Sequence, residues 1–150
     1  MKKGKGTGIF KALGMSSKLI GIHVHDRFLE AGIQLTRPQY VLLKVLSDED
    51  GRCQNDLAFL TERDKTSMAR LVTSLEKKGF VSRRTDKFDH RKNRIFLTKA
   101  GHNILGIAEP VMAEIEYNLT IDLDPKDIQT TLSTISKIQS KVFGTASVQL

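Results

Sequence analysis

Basic and hydroxyl side chains between residues 65 and 78 are spaced in a pattern that suits contact with a polyanion. Apolar residues in this stretch follow i, i+3, i+4, i+7 spacing, which predicts an amphipathic helix with one buried face. These apolar residues are Met68, Leu71, Val72 and Leu75. The side chains that remain for the helix start and the outward face are Lys65, Thr66, Ser67, Arg70, either Thr73 or Ser74, and Lys77. We expect this face to bind nucleic acid.

Arg70 is the residue of this face that is best suited to reading a base. Its guanidinium can donate two parallel hydrogen bonds to guanine in a major groove, which is worth about 1–3 kcal/mol of discrimination. The helix start at Lys65 has free N–H groups and a positive dipole end, which suit phosphate oxygens. The alternative is that Arg70 pairs with Glu76 or contacts phosphate alone.

A second cationic segment lies between two runs, Phe80–Arg84 and Arg94–Thr98, that have the composition of β-strands. The polar loop between them makes the segment a hairpin with a charged tip. Arg83 and Arg84 alternate across the first strand, so at most one of them faces a nucleic acid. Cations near phosphate position a protein without reading sequence. The cations expected in that role are Lys87, Lys92 and Arg94.

Residue types that support catalysis or metal binding do not occur at useful spacing. The sequence contains no Ser/His/Asp grouping, phosphate-binding loop or Cys/His cluster, so we expect no enzyme activity, no metal and no other cofactor. His23 and His25 lie about 200° apart around a helix, which disfavours a shared ligand. Cys53 is expected to be a small buried side chain, with redox sensing as the alternative.

The charge of the chain is concentrated in one segment. The formal net charge is +7, residues 61–100 alone have a balance of +7, and residues 101–150 have a balance of −3. Such segregation is typical of a lobe that binds a polyanion. The single cysteine fits a reducing cytoplasm, and no run is apolar over the roughly 18 residues that a membrane span needs.

Start and stop signals place the candidate residues on particular elements. Thr36 and Gln39 form a capping box that begins a short helix. A second short helix begins at Asn55, and Asp64 caps the helix that carries Arg70, which Gly79 ends. Two short helices joined by a tight turn, the second with a basic outer face, predict a helix-turn-helix.

The fold class predicted is mainly α with a small β-hairpin (α+β), a winged helix-turn-helix. Residues 1–10 are expected to form a flexible basic tail, and residues 35–100 the nucleic-acid-binding lobe. The helices of residues 11–34 and 101–150 have more apolar surface than one small lobe buries. Thr98 is expected to cap the first of the C-terminal helices. We therefore expect them to form a homodimer interface.

The sequence resembles the MarR family, in detail over residues 35–105 and in outline over the terminal helices. Each matching segment is weak alone, but together they occur in the expected order at fitting distances. The matching segments are Leu35-Thr36 with Gln39-Tyr40, Asp56-Leu57-Ala58, Asp64 to Val72, Leu75 to Val81, Arg83, Asp89-His90-Arg91 and Leu97 to Gly101.

The resemblance implies a triangular homodimer that binds double-stranded DNA at a pseudo-palindromic operator and regulates transcription. It further implies repression that a small ligand, aromatic or anionic, relieves. By analogy Asp89 would hold Arg91 at the wing, and Arg91 would enter the minor groove, whose negative potential attracts a guanidinium. The alternative for Arg91 is a salt bridge with Asp89 and no DNA contact. His90 stands where the family commonly has Arg, which should weaken one phosphate contact.

Two other functions fit parts of the pattern. A winged-helix module can bind a protein partner, which would require an exposed apolar patch on the second helix. It can also bind DNA non-specifically as an architectural protein, in which case affinity would fall with salt equally on every sequence.

Overall fold

A computed structural model describes residues 6–61 and 63–143 of the chain. The helices are α1 (Ile9–Glu30), α2 (Arg37–Asp48), α3 (Gln54–Leu60), α4 (Lys65–Lys77), α5 (Lys99–Thr120) and α6 (Pro125–Phe143). The strands are β1 (Arg52–Cys53), β2 (Val81–Thr85) and β3 (Asn93–Leu97). The order of elements confirms the predicted fold class.

Short-range hydrogen bonds begin three of these helices where the sequence predicts. The hydroxyl of Thr36 accepts from the backbone N–H of Gln39 at 3.3 Å, and the Gln39 side chain accepts from the N–H of Thr36 at 3.0 Å. Asp64 accepts from the N–H of Ser67 at 2.8 Å, which caps α4. Thr98 accepts from the N–H of Gly101 at 3.0 Å, which caps α5. Each bond satisfies a donor that the helix itself leaves free.

The sheet has one strand more than the predicted hairpin. All pairings are antiparallel and the strand order is β1-β3-β2. In β1, Arg52 pairs with Ile95 and Cys53 with Arg94. The hairpin of β2 and β3 therefore has β1, from the turn before α3, on its other edge, and the wing is anchored to the helix-turn-helix.

The hydrophobic core lies between the sheet, the helix-turn-helix and parts of α2 and α5. Gly79 ends α4 in the left-handed conformation (φ 74°), as the sequence predicts. Phe28 of α1 is fully buried and meets the Tyr40 ring edge-on, with 5.8 Å between centroids. Side chains with no exposed surface include Leu42, Leu43, Leu46, Leu57, Met68, Val72, Leu75 and Ile95.

Helix α1 begins earlier than the sequence predicts. Helix α1 begins at Ile9, so residues 9 and 10 are helical rather than part of a tail; residues 1–5 lie outside the described residues. Within the protomer, the only buried residues of α1 are Val24 and Phe28. In the described ranges, no helix combines the length and apolar character that crossing a membrane requires.

Candidate nucleic-acid interface

The outer face of α4 presents the predicted cations to solvent. Lys65, Thr66, Arg70, Thr73 and Lys77 are exposed. Arg70 makes no hydrogen bond or ion pair with any residue that the structure describes, so the alternative pairing with Glu76 is not present. This face is thus polar, cationic and available to a partner.

Ser74 and Ser67 are less available than predicted. The Ser74 hydroxyl donates to the Leu71 carbonyl at 2.7 Å and accepts from the Gln39 side-chain amide at 3.0 Å. Of the two alternatives for the outward position, Thr73 is the exposed one, because Ser74 bonds towards α2. Ser67 is half-buried, and its hydroxyl and N–H both donate to Asp64 at 2.8 Å. The bond from the Ser67 N–H is the main cause that lowers the pKa of Asp64.

Asp86 organises the loop between β2 and β3, and sequence reasoning missed it. Its nearly buried carboxylate accepts from the backbone N–H groups of Phe88 at 2.8 Å and Asp89 at 2.9 Å, and it pairs with the guanidinium of Arg94. The bond from Arg94 is the main cause that lowers the pKa of Asp86 to about 2. The available signal was a second carboxylate, besides Asp89, in a loop rich in cations.

Arg94 holds the wing together, a role that the sequence did not predict for it. Besides its bond to Asp86, it donates to the Gly51 carbonyl at 2.9 Å. The guanidinium therefore ties the loop to the turn before β1. These bonds, together with the antiparallel pairing, fix the wing relative to the rest of the lobe.

Asp89 contacts Arg91 through the backbone. Its carboxylate accepts from the Arg91 backbone N–H at 3.1 Å, and its nearest cation is Lys92, with 3.9 Å between Nζ and the carboxylate oxygen. Asp89 therefore holds Arg91 through its backbone, and the alternative, a salt bridge between the two side chains, is not present among the described residues. The exposed guanidinium of Arg91 and the ammonium of Lys87 have no partner among the described residues.

Arg83 connects the wing to helix α4. Its guanidinium donates to the Thr73 hydroxyl at 3.3 Å and lies 3.5 Å from the Glu76 carboxylate. Arg84 on the opposite side of β2 stacks over the Phe96 ring, 4.6 Å from its centroid. Of this pair, Arg83 is thus the one that lies against α4.

Known proteins are similar to this chain both in fold and in amino-acid sequence. HosA of Escherichia coli O157:H7, a transcriptional regulator, is 26% identical over 106 residues, which are 71% of this chain and 78% of HosA. A solved MarR transcriptional regulator of Methanosarcina mazei Go1 superposes with a TM-score of 0.78 and 26% identity, covering 91% of this chain and 99% of that one. A family model described as the MarR family matches residues 35–92.

Residues 35–92 of the chain are thus similar to the MarR family, and the likeness in fold to the Methanosarcina mazei regulator extends over 91% of the chain. The curated relatives that match it are transcriptional regulators, which agrees with the expectation that the chain is not an enzyme. A solved complex of Staphylococcus aureus MepR with DNA also shares the fold, with a TM-score of 0.79, 21% identity and coverage of 92% of this chain and 98% of MepR.

The lobe that resembles the MarR family adjoins a cavity of about 690 Å³ between α1, α2 and α3. Its volume lies within the range of small-molecule sites. Four side chains in the wall carry or can carry positive charge, and the others are mainly apolar. The charged or chargeable ones are Lys18, His25, Arg37 and Arg63; the apolar ones include Ile22, Pro38, Val41, Phe59 and Leu60.

The remaining candidates for site chemistry do not come together. His25 lines the cavity and His23 does not. Cys53 is half-buried at the edge of the sheet, which is more exposed than predicted, and it forms no disulfide. Within the described ranges, no three His, Cys, Asp or Glu residues are grouped as metal ligands.

Proposed function

We propose that this chain is a MarR-type transcriptional regulator that binds a pseudo-palindromic operator as a homodimer, with α4 in the major groove and the wing at the adjacent minor groove. The observation that carries the proposal is the docking of the wing on α4 through Arg83, Thr73 and Glu76. That contact joins two cationic elements into one surface whose main cations have no partner within the described protomer.

Within that surface we assign separate roles to the residues. Arg70 lies on the exposed face of α4 and reads guanine, whereas Lys65, Thr66, Thr73 and Lys77 contact phosphate or base edges around it. Arg91 inserts into the minor groove. Lys87 and Lys92 neutralise phosphate, and Asp89 and Arg94 shape the loop that presents them. Ser67 contributes through the helix start, and Ser74 through its bond to α2.

Exposed apolar side chains on the terminal helices support the homodimer. Leu19 of α1 is 58% exposed, Tyr117 of α5 60% and Leu132 of α6 56%. None of the α6 side chains that the structure describes is fully buried, so this helix has no core of its own within the protomer. A second copy that covers these faces is the simplest way to remove them from water. The division into a lobe at 35–100 and dimerisation helices on either side is part of this proposal.

Selection of binding sites by the purified protein, followed by footprinting, tests the operator. We expect a two-fold site whose halves lie about 10 base pairs apart, because two identical lobes face the same side of the duplex. A single asymmetric half-site bound at full affinity would contradict the proposal. An affinity that is equal for every sequence and falls steeply as the salt concentration rises would support the architectural alternative instead.

We further propose that a small aromatic acid in the cavity relieves repression in the cytoplasm. The cations Lys18, Arg37 and Arg63 suit a carboxylate, and the apolar wall suits a ring. Arg37 lies near α1, where it donates to Ser17 at 3.3 Å. Because the wall is built from both α1 and the helices of the lobe, an occupant favours one relative position of the two.

A matched pair of probes tests the effector. Benzoate should raise the melting temperature and lower operator affinity, and benzyl alcohol, which lacks the charge, should do neither at the same concentration. Arg37→Ala should weaken the response to benzoate. If benzoate changes neither stability nor DNA binding, regulation by such acids is wrong, and the operator proposal stands on its own test.

A further inference from the structure

Phe88 at the tip of the wing is the most exposed large apolar side chain in the part of the chain that the structure describes, with 97% of its surface accessible. Single exposed apolar residues are common and usually have no role. Phe88 differs in its position, since it lies next to Lys87 and three residues before Arg91, the two wing cations that have no partner among described residues. An apolar ring is therefore placed at the centre of a cationic loop.

The backbone beneath Phe88 is held in place although its ring packs against nothing that the structure describes. The Phe88 N–H donates to the Asp86 carboxylate at 2.8 Å, and the Asp89 N–H donates to the same oxygen at 2.9 Å. The Asp86 N–H in turn donates to the Lys92 carbonyl at 2.8 Å, which closes the loop. The polar groups of the loop thus set its shape, and the ring adds no folding contact.

A rigid loop that projects a ring between cations suits insertion into a DNA minor groove. The cations neutralise the phosphates on either side, and the floor of the groove between them offers deoxyribose and base surfaces to an apolar group. Apolar side chains that enter a minor groove push partly between base pairs and bend the duplex. Pyrimidine–purine steps unstack at the lowest cost, so such a wedge favours them.

We propose that Phe88 is a wedge that enters the minor groove beside Arg91 and selects flexible TA or CA/TG steps at the operator flanks. The inference rests on the proposed binding of the lobe to duplex DNA and adds a determinant of specificity to it. Arg91 supplies attraction that depends on charge, and Phe88 supplies contact that does not. The two contributions can therefore be separated by measuring affinity at different salt concentrations.

Operator affinity as a function of salt tests the wedge, with the selected operator and the full chain. Phe88→Ala should weaken binding about tenfold at every salt concentration, the order expected for loss of a buried aromatic contact. It should leave the slope of log K against log salt unchanged. Arg91→Ala should reduce that slope by about one. Phe88→Leu keeps an apolar side chain and should retain part of the affinity.

A base analogue placed at the wing contact gives a second readout. 2-Aminopurine at the flanking step should become more fluorescent when the wild-type protein binds, because the step is unstacked, and Phe88→Ala should not produce this increase. Replacing the flanking TA step by a stiff A-tract should cost the wild-type protein affinity, whereas Phe88→Ala should bind the A-tract at least as well, because Arg91 still gains from its narrow groove. Since the ring makes no folding contact, the melting temperature of both Phe88 variants should equal that of the wild type.

The outcomes separate this inference from the proposed function. If the wild-type protein selects a two-fold operator but Phe88→Ala binds it with equal affinity and step preference, the wedge is wrong and the operator proposal stands. If Phe88→Ala changes the salt slope as Arg91→Ala does, the loss comes from a displaced cation, and the wedge is again wrong. If the wild-type protein selects no site, the proposed function itself fails.

Discussion

Lys77 and Lys78 are neighbours at the end of α4 with different surroundings. The Lys78 ammonium donates to the Gln34 carbonyl at 2.6 Å and to the Gln39 side chain at 3.0 Å. Lys77 is exposed and bonds to no residue within the described ranges. Lys77 is therefore available to a partner, and Lys78 joins α4 to the start of α2.

Alanine at each of these two positions should separate binding from stability. Lys77→Ala should reduce the salt slope of DNA binding by about one and leave the melting temperature unchanged, because one phosphate contact is lost. Lys78→Ala should lower the free energy of unfolding by about 0.5–1.5 kcal/mol, the usual range for hydrogen bonds. Salt titrations and urea unfolding measure the two effects; the reverse assignment would contradict the proposed orientation of α4.

Asp86 should make the stability of the wing depend on acid pH. Its pKa is lowered from 3.8 to about 2 in the folded protein, chiefly by the bond from Arg94, so the ionised carboxylate favours folding. This stability is fully present above about pH 4 and is lost as the pH falls through about 2. The difference in urea midpoint between wild type and Asp86→Asn should therefore be constant from pH 7 to 5 and shrink below pH 4. A difference that does not vary with pH would show that Asp86 acts otherwise.

The start of α5 is packed closely against the strand that begins the wing. A Cβ atom added at Gly101 would lie 2.1 Å from the Phe80 carbonyl oxygen and 3.1 Å from a methyl of Leu97. Backbone atoms cannot move aside as a flexible side chain can. Gly101 thus sets how closely α5 approaches β2, and through β2 where the wing lies.

Two glycines of the same helix provide a matched comparison. Gly101→Ala should destabilise the protein by about 1–3 kcal/mol or more, because the added methyl overlaps the backbone. An added Cβ at Gly106 has no atom within 4 Å among the described residues. Gly106→Ala should therefore stabilise by about 0.5–1 kcal/mol through helix propensity. Urea unfolding at fixed protomer concentration measures both; equal effects would contradict the close approach at Gly101.

The elements were predictable where their signals are local. Thr36, Asp64 and Thr98 each bond within three residues of their own position, so the helix starts could be predicted from the sequence. The inward position of Ser74 could not, because Gln39, 35 residues away, decides it. The role of Arg94 likewise depends on Gly51, 43 residues away in the chain. Periodicity shows that a face is polar, but only tertiary contacts show which polar groups on it are already paired.

At the scale of the whole molecule, the two ends of the chain and its middle have complementary properties. The middle is cationic and holds most of the core, and the ends are long helices that leave apolar surface exposed. A protomer alone would present this surface to water, which disfavours a stable monomer. In the proposed homodimer, binding of two half-sites by one particle would also depend on these helices, since they would set the distance between the lobes.

A charge placed on α6 should therefore dissociate the dimer and weaken DNA binding together. Leu132 is 56% exposed in the protomer, and Leu132→Glu would put a carboxylate into the proposed interface, where burial of an unpaired charge is costly. Analytical ultracentrifugation should show the wild type at about twice the protomer mass of 16.8 kDa and the variant at that mass. Operator affinity should fall by orders of magnitude, because the second half-site no longer binds as part of the same particle.

Lys87→Ala, which alters only the wing, should remain dimeric while it loses affinity. A Leu132→Glu protein that stays dimeric and binds the operator normally would place the interface elsewhere on the chain.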